Sequence, residues 1–251
     1  MGYTDLHTHT TFCDGKSTPE EMVISAIDKG ITTLGLLAHS YVDFDKGYAI
    51  DPTRVEEFRK EVYRLREKYK DRVAILFGIE ADFYATELYG GTDYVIGSVH
   101  YLPFEDGYRS LDMSRDEISR VVAEKFDGDW YAMCECYYET VARVKDRCCA
   151  DIVGHFDIVT KFNEGDCLFD TKNDRYRRAW QRAADKLIAD GVTFEINTGA
   201  IARGRRTQPY PSPEILEYIK AHGARLILSS DAHCGENLAF DFDKYSHLLG
   251  E

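Results

Sequence analysis

The stretch Thr4-Asp5-Leu6-His7-Thr8-His9 joins a short predicted strand, Thr4–His7, to a pair of histidines. A capping-box pattern follows at Thr18-Pro19-Glu20-Glu21, with threonine at the N-cap, proline at the first helical position and glutamate three residues after the threonine. The pattern predicts a helix beginning there, and Gly30 is a typical residue just after a helix ends. This part of the chain is therefore a strand, two polar side chains at its end, and a helix.

The same order of strand and helix recurs along the chain. Further predicted strands are the short apolar runs Leu34–Ala38, Val73–Ile79, Tyr94–Val99, Ile152–Gly154, Thr193–Ile196 and Arg225–Ser230. Further predicted helices begin at Asp51-Pro52, at about residue 172 and at Pro213. The segment 101–150 differs, because it contains two predicted helices, about Ser114–Lys125 and about Trp130–Lys145, with no strand between them.

About seven strands that alternate with helices predict an α/β fold with a parallel sheet, because parallel neighbours need crossover connections. At 251 residues, a closed TIM-like barrel is favoured over an open doubly wound sheet. The sequence has no repeats, low-complexity stretches or linker. We therefore predict one domain over residues 1–251, with a helical excursion at about 101–150.

Eight polar side chains share one position in this pattern, at or just past the C-terminal end of a predicted strand. They are His7, His9, His39, Glu80, His100, His155, Asp231 and His233. In α/β barrels the C-terminal strand ends form one face, and that face carries the active site. Residues far apart in sequence are therefore expected to converge at one mouth of the barrel.

The types of these residues point to metal binding. Residues i and i+2 of an extended chain point to the same side, so His7 and His9 could hold one ion, as could Asp231 and His233. Histidine mixed with carboxylate, without a thiolate cluster, suits zinc, iron or manganese. Eight candidates exceed the four ligands of one tetrahedral site, which favours two or three ions that share a bridging carboxylate, with Glu80 as the natural bridge.

Each of these residues alone has an ordinary structural explanation. A single histidine at a strand end is usually hydrogen-bonded in the core or at the surface. The coincidence of eight at strand ends favours the metal site. His222 lies outside the pattern, near a predicted helix C-terminus, where a cation is favourable. Asp14 precedes Gly15, and Asp-Gly is a common turn pair, so a turn explains it equally well.

Composition and net charge limit the kinds of partner that the chain is expected to bind. The net charge of −13 argues against a nonspecific grip on nucleic acid or on an anionic membrane, because both need a basic face. No apolar run approaches the ~18 residues of a membrane span, and no targeting segment precedes the first strand. Seven cysteines without a C-x-x-C pair suggest reduced thiols. We therefore expect a cytoplasmic enzyme, as a monomer or homodimer, with no nucleic-acid or membrane partner.

Six motifs follow one another in the order that a known family shows. They are His7-Thr8-His9-Thr10, Leu37-Ala38-His39, Gly78-Ile79-Glu80, Gly97-Ser98-Val99-His100, Gly154-His155-Phe156-Asp157 and Ser230-Asp231-Ala232-His233. With them the chain resembles the PHP superfamily (polymerase and histidinol phosphatase), and it is most similar to the monofunctional histidinol-phosphate phosphatases of that superfamily. The resemblance extends over essentially the whole chain.

The resemblance implies a distorted (β/α)₇ barrel with a trinuclear metal site. The first ion would take His7, His9, Glu80 and Asp231, and the second would take Glu80, His100 and His155. The third would take Asp14, His39 and His233, although some relatives have histidine where this chain has Asp14. Asp231, His233 or a water beside them would protonate the leaving group.

A small anionic substrate needs local positive charge. The loop Ala202-Arg203-Gly204-Arg205-Arg206 follows the strand that ends near Asn197, and its guanidinium groups suit a phosphate dianion. The resemblance makes Arg203 the leading candidate for a phosphate contact and Lys161 a similar one, while Arg205 and Arg206 are weaker candidates. The alternative is a solvated turn whose arginines pair with the many carboxylates of this chain.

The implied activity is metal-dependent hydrolysis of L-histidinol phosphate, a step of histidine biosynthesis. Water shared by divalent ions loses a proton near neutral pH and can attack phosphorus. One alternative is a phosphoesterase for another small phosphate ester or a nucleotide bisphosphate. Another is a non-catalytic metal-binding accessory module, which the intact motifs disfavour. A metal-dependent amidohydrolase would more usually show a metal-bridging lysine motif.

Overall fold

The computed structural model describes residues 2–249, so Met1, Gly250 and Glu251 of the predicted domain lie outside the described residues. These residues form a seven-stranded parallel sheet and a separate two-stranded hairpin. The strands are β1 Tyr3–Asp5, β2 Ile31–Leu36, β3 Ala74–Asp82, β4 Tyr94–Ser98, β5 Tyr101–Phe104, β6 Gly107–Ser110, β7 Ile152–Val153, β8 Thr193–Asn197 and β9 Leu226–Ser229.

The helices lie between the strands in sequence, except for the last, which follows β9. They are α1 Pro19–Asp28, α2 Val55–Tyr69, α3 Arg115–Lys125, α4 Trp130–Val141, α5 Val144–Cys148, α6 Asp174–Ala189, α7 Gly199–Ala202, α8 Pro213–Ala221 and α9 Phe242–Tyr245. The predicted capping box at α1 is confirmed, because the Thr18 side chain accepts from the Glu21 amide and the Glu21 carboxylate accepts from the Thr18 amide. Among residues 2–249, no helix has the length and apolar character needed to cross a membrane.

The parallel sheet curls into a nearly closed barrel, as predicted. Its strand order is β1-β2-β3-β4-β7-β8-β9, and the residues after β1 meet those after β9. The His9 amide donates to the Ala232 carbonyl at 2.8 Å, and the Ala232 amide donates to the His7 carbonyl at 3.2 Å. These hydrogen bonds join the two ends of the sheet at the level of the predicted metal ligands.

The structure differs from the prediction in three places. Strand β3 continues to Asp82, so Glu80 lies within the strand rather than at its end. The segment 101–150 contains the hairpin of β5 and β6 as well as helices, and the predicted helix Trp130–Lys145 is divided into α4 and α5. The sequence did not predict this hairpin, because a proline such as Pro103 argues against a strand. Strand β5 pairs only with β6, so Pro103 interrupts no hydrogen bond of the main sheet.

Close packing inside the barrel depends on two glycines that face the ring of Tyr94. The Tyr94 side chain crosses from β4 to β1, where its hydroxyl donates to the Leu6 carbonyl oxygen. A Cβ atom at Gly78 would lie 2.4 Å from the Tyr94 Cζ, and one at Gly35 would lie 2.1 Å from its hydroxyl oxygen. Because Gly35 and Gly78 have no side chains, there is room in the core for the ring of Tyr94.

We expect Gly78→Ala to lower the free energy of unfolding by about 1–3 kcal/mol, because the added methyl group would displace the buried Tyr94 ring. Urea denaturation monitored by circular dichroism measures the change. Gly90→Ala is the matched control, since a Cβ atom there meets nothing within 4 Å; it should change stability by less than about 0.5 kcal/mol. Equal effects of the two substitutions would contradict the packing argument.

Candidate metal centre

All nine residues predicted as metal ligands lie together at one end of the barrel. The alternation of strand and helix explains this, because it points every strand of the sheet in one direction. His7 and His9 follow β1, His39 follows β2, His100 follows β4, His155 follows β7, and Asp231 and His233 follow β9. Asp14 comes from the loop after β1. There the amides of Cys13 and Gly15 both donate to the Thr10 carbonyl and form the predicted turn.

The Glu80 carboxylate is at the centre of this group and is 1% exposed. Each of its oxygens faces histidine nitrogens. Oε2 lies 2.9 Å from His39 Nδ1, 3.2 Å from His7 Nε2 and 3.4 Å from His9 Nε2. Oε1 lies 3.0 Å from His155 Nε2 and 3.5 Å from His100 Nε2. The two oxygens of one carboxylate thus contact two different groups of histidines, as those of a bridging ligand would.

Asp231 completes the group around His7 and His9. Its Oδ1 lies 3.4 Å from His9 Nε2 and 3.7 Å from His7 Nε2. The residue has a φ of +48°, a conformation that L-residues rarely adopt. Gly199 packs against it so closely that an added Cβ would lie 2.7 Å from the Asp231 Cβ. Strained backbone of this kind is typical of functional sites.

A third group forms around Asp14. Its Oδ2 lies 3.1 Å from His233 Nε2, and its Oδ1 lies 3.6 Å from His39 Nε2. His9 also belongs here, because its ring stacks on that of His39 and on that of His233, with centroid distances of 4.3 Å in both pairs. One ligand atom from each of His9, Asp14, His39 and His233 lies within 4.8 Å of the others. The same holds for His7, His9 and Glu80, and for Glu80, His100 and His155.

Buried polar atoms without hydrogen-bond partners test whether these residues fit a metal ion. His7 Nε2, His9 Nε2 and Glu80 Oε2 are all buried and all lack a partner within the described chain. Such groups cost free energy in a protein interior unless something satisfies them. The three atoms face one another, and all are good ligand atoms for a divalent ion. The donor set therefore fits a metal centre.

Neighbouring charges and burial determine the ionisation states of the groups in the cluster. Burial alone would raise the pKa of Glu80, but the neighbouring His39 and His7 hold it well below its usual value. Burial likewise opposes ionisation of Asp231, yet Arg203 and His7 keep its pKa well below the usual range. Burial, together with His39 and His233, lowers the pKa of His9 to about 3. The carboxylates are thus anionic and His9 neutral at pH 7, the states in which they bind metals.

Further buried groups orient the ligands. The Asp82 carboxylate accepts from His100 Nδ1 and from the His100 amide, both at 3.1 Å. Ser98 donates to Glu80 Oε1 at 2.7 Å. Asp5, Asp82 and Asp157 each lie two residues from a predicted ligand, and of these three only Asp82 reaches a histidine ring. Asp5 accepts from the amides of Ser230 and Ala239 instead.

Glu195 is a residue of the site that sequence reasoning missed. It lies in β8, is fully buried, and accepts a hydrogen bond from His7 Nδ1 at 2.9 Å. The signal was present, because a glutamate interrupts the otherwise apolar run Phe194-Glu195-Ile196. An acid in the middle of a buried strand is unusual and calls for a partner.

The four predicted substrate-binding residues are placed differently. Arg203 Nη2 donates to Asp231 Oδ2 at 2.8 Å, and its side chain is 35% exposed. Lys161 Nζ lies 3.0 Å from Asp112 Oδ2. Arg206 is buried, donates to Thr160 Oγ1 and stacks over the Tyr210 ring. Arg205 is exposed. A phosphate contact by Arg205 or Arg206 stays a prediction, because neither residue lines the cavity beside the cluster.

A cavity of about 510 Å³ opens beside the cluster. It is large enough for a small organic phosphate. The predicted ligands Asp14, His39, Glu80, His100, His155, Asp231 and His233 line it, together with Lys161, Arg203, Asp45, Gly47, Tyr48, Tyr101, Ser110, Asp112, Met113, Ile158 and Tyr210. The predicted metal ligands and two basic side chains thus face one space.

A family model described as the PHP domain matches residues 5–199 of the chain. Related sequences extend over nearly the whole length. A protein of Deinococcus radiodurans named "Probable histidinol-phosphatase" is 27% identical over 96% of this chain and 90% of its own. The Bacillus subtilis protein named histidinol-phosphatase is 23% identical over 98% of both chains.

Solved structures have the same fold. A candidate histidinol phosphatase from Listeria monocytogenes superposes with a TM-score of 0.82 at 20% identity, covering 96% of this chain and 99% of its own. Histidinol phosphate phosphatase from Lactococcus lactis, solved with zinc, L-histidinol and phosphate, has a TM-score of 0.69 at 18% identity, covering 98% and 92%. Both likenesses support the barrel architecture.

We expect Zn²⁺ at about a thousand times its dissociation constant to raise the melting temperature by roughly 8–16 °C over the chelator-treated protein, because the ion binds the folded state alone. Scanning calorimetry of metal-free and metal-loaded samples measures the shift. His222→Ala should retain the full shift, since His222 caps α8 and stacks on Tyr218, away from the cluster. A melting temperature that zinc leaves unchanged would contradict a metal centre.

Proposed function

We propose that this chain, which belongs to the PHP-domain family, hydrolyses L-histidinol phosphate to L-histidinol and phosphate. One observation carries the proposal: buried, unpartnered histidine and carboxylate atoms converge on Glu80 beside a cavity that also holds Lys161 and Arg203. The relatives that match nearly end to end are named as histidinol-phosphatases. The Lactococcus lactis protein was solved with zinc and with the two products of this reaction.

Two or three divalent ions, of zinc, iron or manganese, belong to the proposal. His7, His9, Glu80 and Asp231 would hold the first ion, and Glu80, His100 and His155 the second. Asp14, His39 and His233 would hold the third, with His9 close enough to share it. When bound, such ions supply Lewis acidity, which lowers the pKa of a coordinated water and offsets charge on the phosphoryl group.

Arg203 has two functions in this proposal. Its Nη1 donates to the Asp231 carbonyl at 2.9 Å and its Nη2 to the Asp231 carboxylate at 2.8 Å, which holds a strained residue in place. The guanidinium group also lines the cavity. It can therefore orient Asp231 with part of its donor fork and present other N–H groups to a phosphoryl oxygen.

Lys161 adds a second positive charge. Its ammonium group donates to the Asp112 carbonyl at 2.7 Å and lies 3.0 Å from the Asp112 carboxylate. The pairing fixes the ammonium at the cavity wall, and a third N–H remains for a phosphoryl oxygen. These contacts favour Arg203 and Lys161 over Arg205 and Arg206 as the phosphate contacts.

The leaving alkoxide needs a proton, for which the sequence offered Asp231, His233 or a water beside them. Both residues line the cavity. Because Arg203 and His7 keep the pKa of Asp231 well below its usual value, this carboxylate is ionised at neutral pH and accepts rather than donates. The proton then comes from His233 or from a water molecule that the pair orients.

The proposed setting is cytoplasmic histidine biosynthesis, with residues 1–251 acting as one barrel domain in a monomer or homodimer. All seven cysteines are free thiols in the structure, which agrees with a reducing compartment.

We expect His7→Ala to lower turnover of L-histidinol phosphate more than about 100-fold, because loss of a direct ligand costs more than loss of an outer contact. Phosphate release by metal-loaded enzyme measures it, with His222→Ala as the control that keeps full activity. A panel with a nucleotide bisphosphate and an aryl phosphate tests the substrate. If the enzyme cleaves these but leaves L-histidinol phosphate intact, the substrate assignment is wrong and the phosphoesterase alternative holds.

We expect Arg203→Lys to lower kcat/KM by about 10- to 100-fold, since one lost charge-assisted hydrogen bond is worth about 1.5–3 kcal/mol. Steady-state kinetics on the metal-loaded protein measures the change. Arg205→Lys should have little effect if the exposed Arg205 only contacts solvent. An equal loss in both variants would restore Arg205 as a phosphate contact.

A further inference from the structure

We propose that Glu195 is a positioning residue that sets the tautomer of His7 and the backbone of His155, and so prepares two ion positions at once. The inference rests on the proposed metal centre and extends it to a residue that contacts neither substrate nor ion. Glu195 joins three strands of the barrel through one carboxylate.

The contacts of Glu195 use both of its oxygens. Oε2 accepts from His7 Nδ1 at 2.9 Å. Oε1 accepts from the His155 amide at 2.6 Å and from Asn197 Nδ2 at 2.7 Å. Three donors, from the ends of β1, β7 and β8, therefore meet on one buried side chain. Among the residues that the structure describes, no lysine or arginine forms an ion pair with it.

Hydrogen bonding to a carboxylate determines which nitrogen of His7 carries the proton. An ionised carboxylate only accepts, so Nδ1 of His7 must be an N–H group, and in the neutral ring, the form that binds a metal, Nε2 has the lone pair. That Nε2 atom is buried without a partner, 3.2 Å from Glu80 Oε2 and 3.7 Å from Asp231 Oδ1. The tautomer selected by Glu195 is therefore the one that can bind an ion at the first position.

The second effect of Glu195 is on the backbone of His155. This residue has a φ of +22°, outside the usual range for a residue with a side chain. Its amide donates the short hydrogen bond to Glu195, while its Nε2 lies 3.0 Å from Glu80 Oε1. Gly154 leaves room for this arrangement, because an added Cβ there would lie 2.4 Å from Ser98 Oγ. Glu195 thus holds the strained turn that aims the His155 ring at Glu80.

The orientation of Asn197 makes the consequence of an amide substitution predictable. Asn197 Oδ1 accepts from the Gly199 amide at 2.9 Å, so its NH₂ group is directed to Glu195 Oε1. In Glu195→Gln, the oxygen must stay with the His155 amide and Asn197. The new NH₂ group then faces His7 Nδ1 and donates to it. His7 would carry its proton on Nε2 instead, the nitrogen that should bind the ion.

We expect Glu195→Gln to weaken Zn²⁺ binding by about 10- to 100-fold, the usual effect of losing an orienting group. Competition titration against a chromophoric chelator measures the affinity, and the visible spectrum of the Co²⁺ form reports the ligand set. Glu164→Gln is the matched control, because the exposed Glu164 accepts from the Thr207 amide and hydroxyl through one oxygen, which glutamine retains, and it lies outside the cluster. It should keep the affinity and the Co²⁺ spectrum of the parent.

A second measurement uses the unmodified protein. Nitrogen-15 NMR of the zinc-loaded chain should show His7 with a protonated Nδ1 and a metal-shifted Nε2. Glu195→Asp, which retains an acceptor, should lose less affinity than Glu195→Gln. Parent-like zinc affinity in a folded Glu195→Gln protein, or a His7 that binds through Nδ1, would overturn the inference.

These readouts need no turnover, so they separate the two proposals. Weakened zinc binding in Glu195→Gln together with an inactive parent enzyme would refute the proposed reaction and leave the role of Glu195 standing. Conversely, if both proteins hydrolyse L-histidinol phosphate normally and bind the metal with equal affinity, the proposed reaction stands and the role of Glu195 is refuted.

Discussion

The site is organised around one buried carboxylate. Glu80 is 1% exposed and faces histidines delivered by four different strands. A charge in the interior is tolerated only where it is paired and satisfied, and here the partners come from residues that are distant in sequence. A parallel barrel can supply them, because all of its strands end at the same face. The architecture and the site therefore depend on the same arrangement.

Around this carboxylate, orienting contacts form a second layer that is as buried as the first. Asp82 holds the His100 ring, Ser98 holds Glu80, and Glu195 holds His7 and the turn at His155. Arg203 plays the corresponding part for Asp231, whose backbone is strained. Because each contact removes a rotational freedom of a proposed ligand, the ligand atoms are held close to the positions that a bound ion would require.

The net charge of −13 is compatible with a small anionic ligand. The proposed ligands account for only three carboxylates, at Asp14, Glu80 and Asp231, and two or three divalent ions would outweigh them locally. Lys161 and Arg203 add two cations at the wall of the cavity. The remaining acids belong mainly to the exterior, where helix pairs such as Arg64 with Glu61 are solvated. What the charge disfavours is a long polyanion lying across the surface.

Sequence alone predicted the succession of strands and helices and eight candidate ligands, because alternating periodicity and the i, i+2 spacing of His7 with His9 are local properties. The ninth candidate, Asp14, came from the family resemblance. The sequence could not show that Arg206 packs against Tyr210, that Pro103 lies in a hairpin, or that Glu195 reaches His7 and His155. The contacts of Glu195 join residues that lie 40 and 188 positions apart in the chain. Only the closed barrel, where β1 meets β9, decides such contacts, since hydrogen bonds between distant strands leave no periodic signal in the sequence.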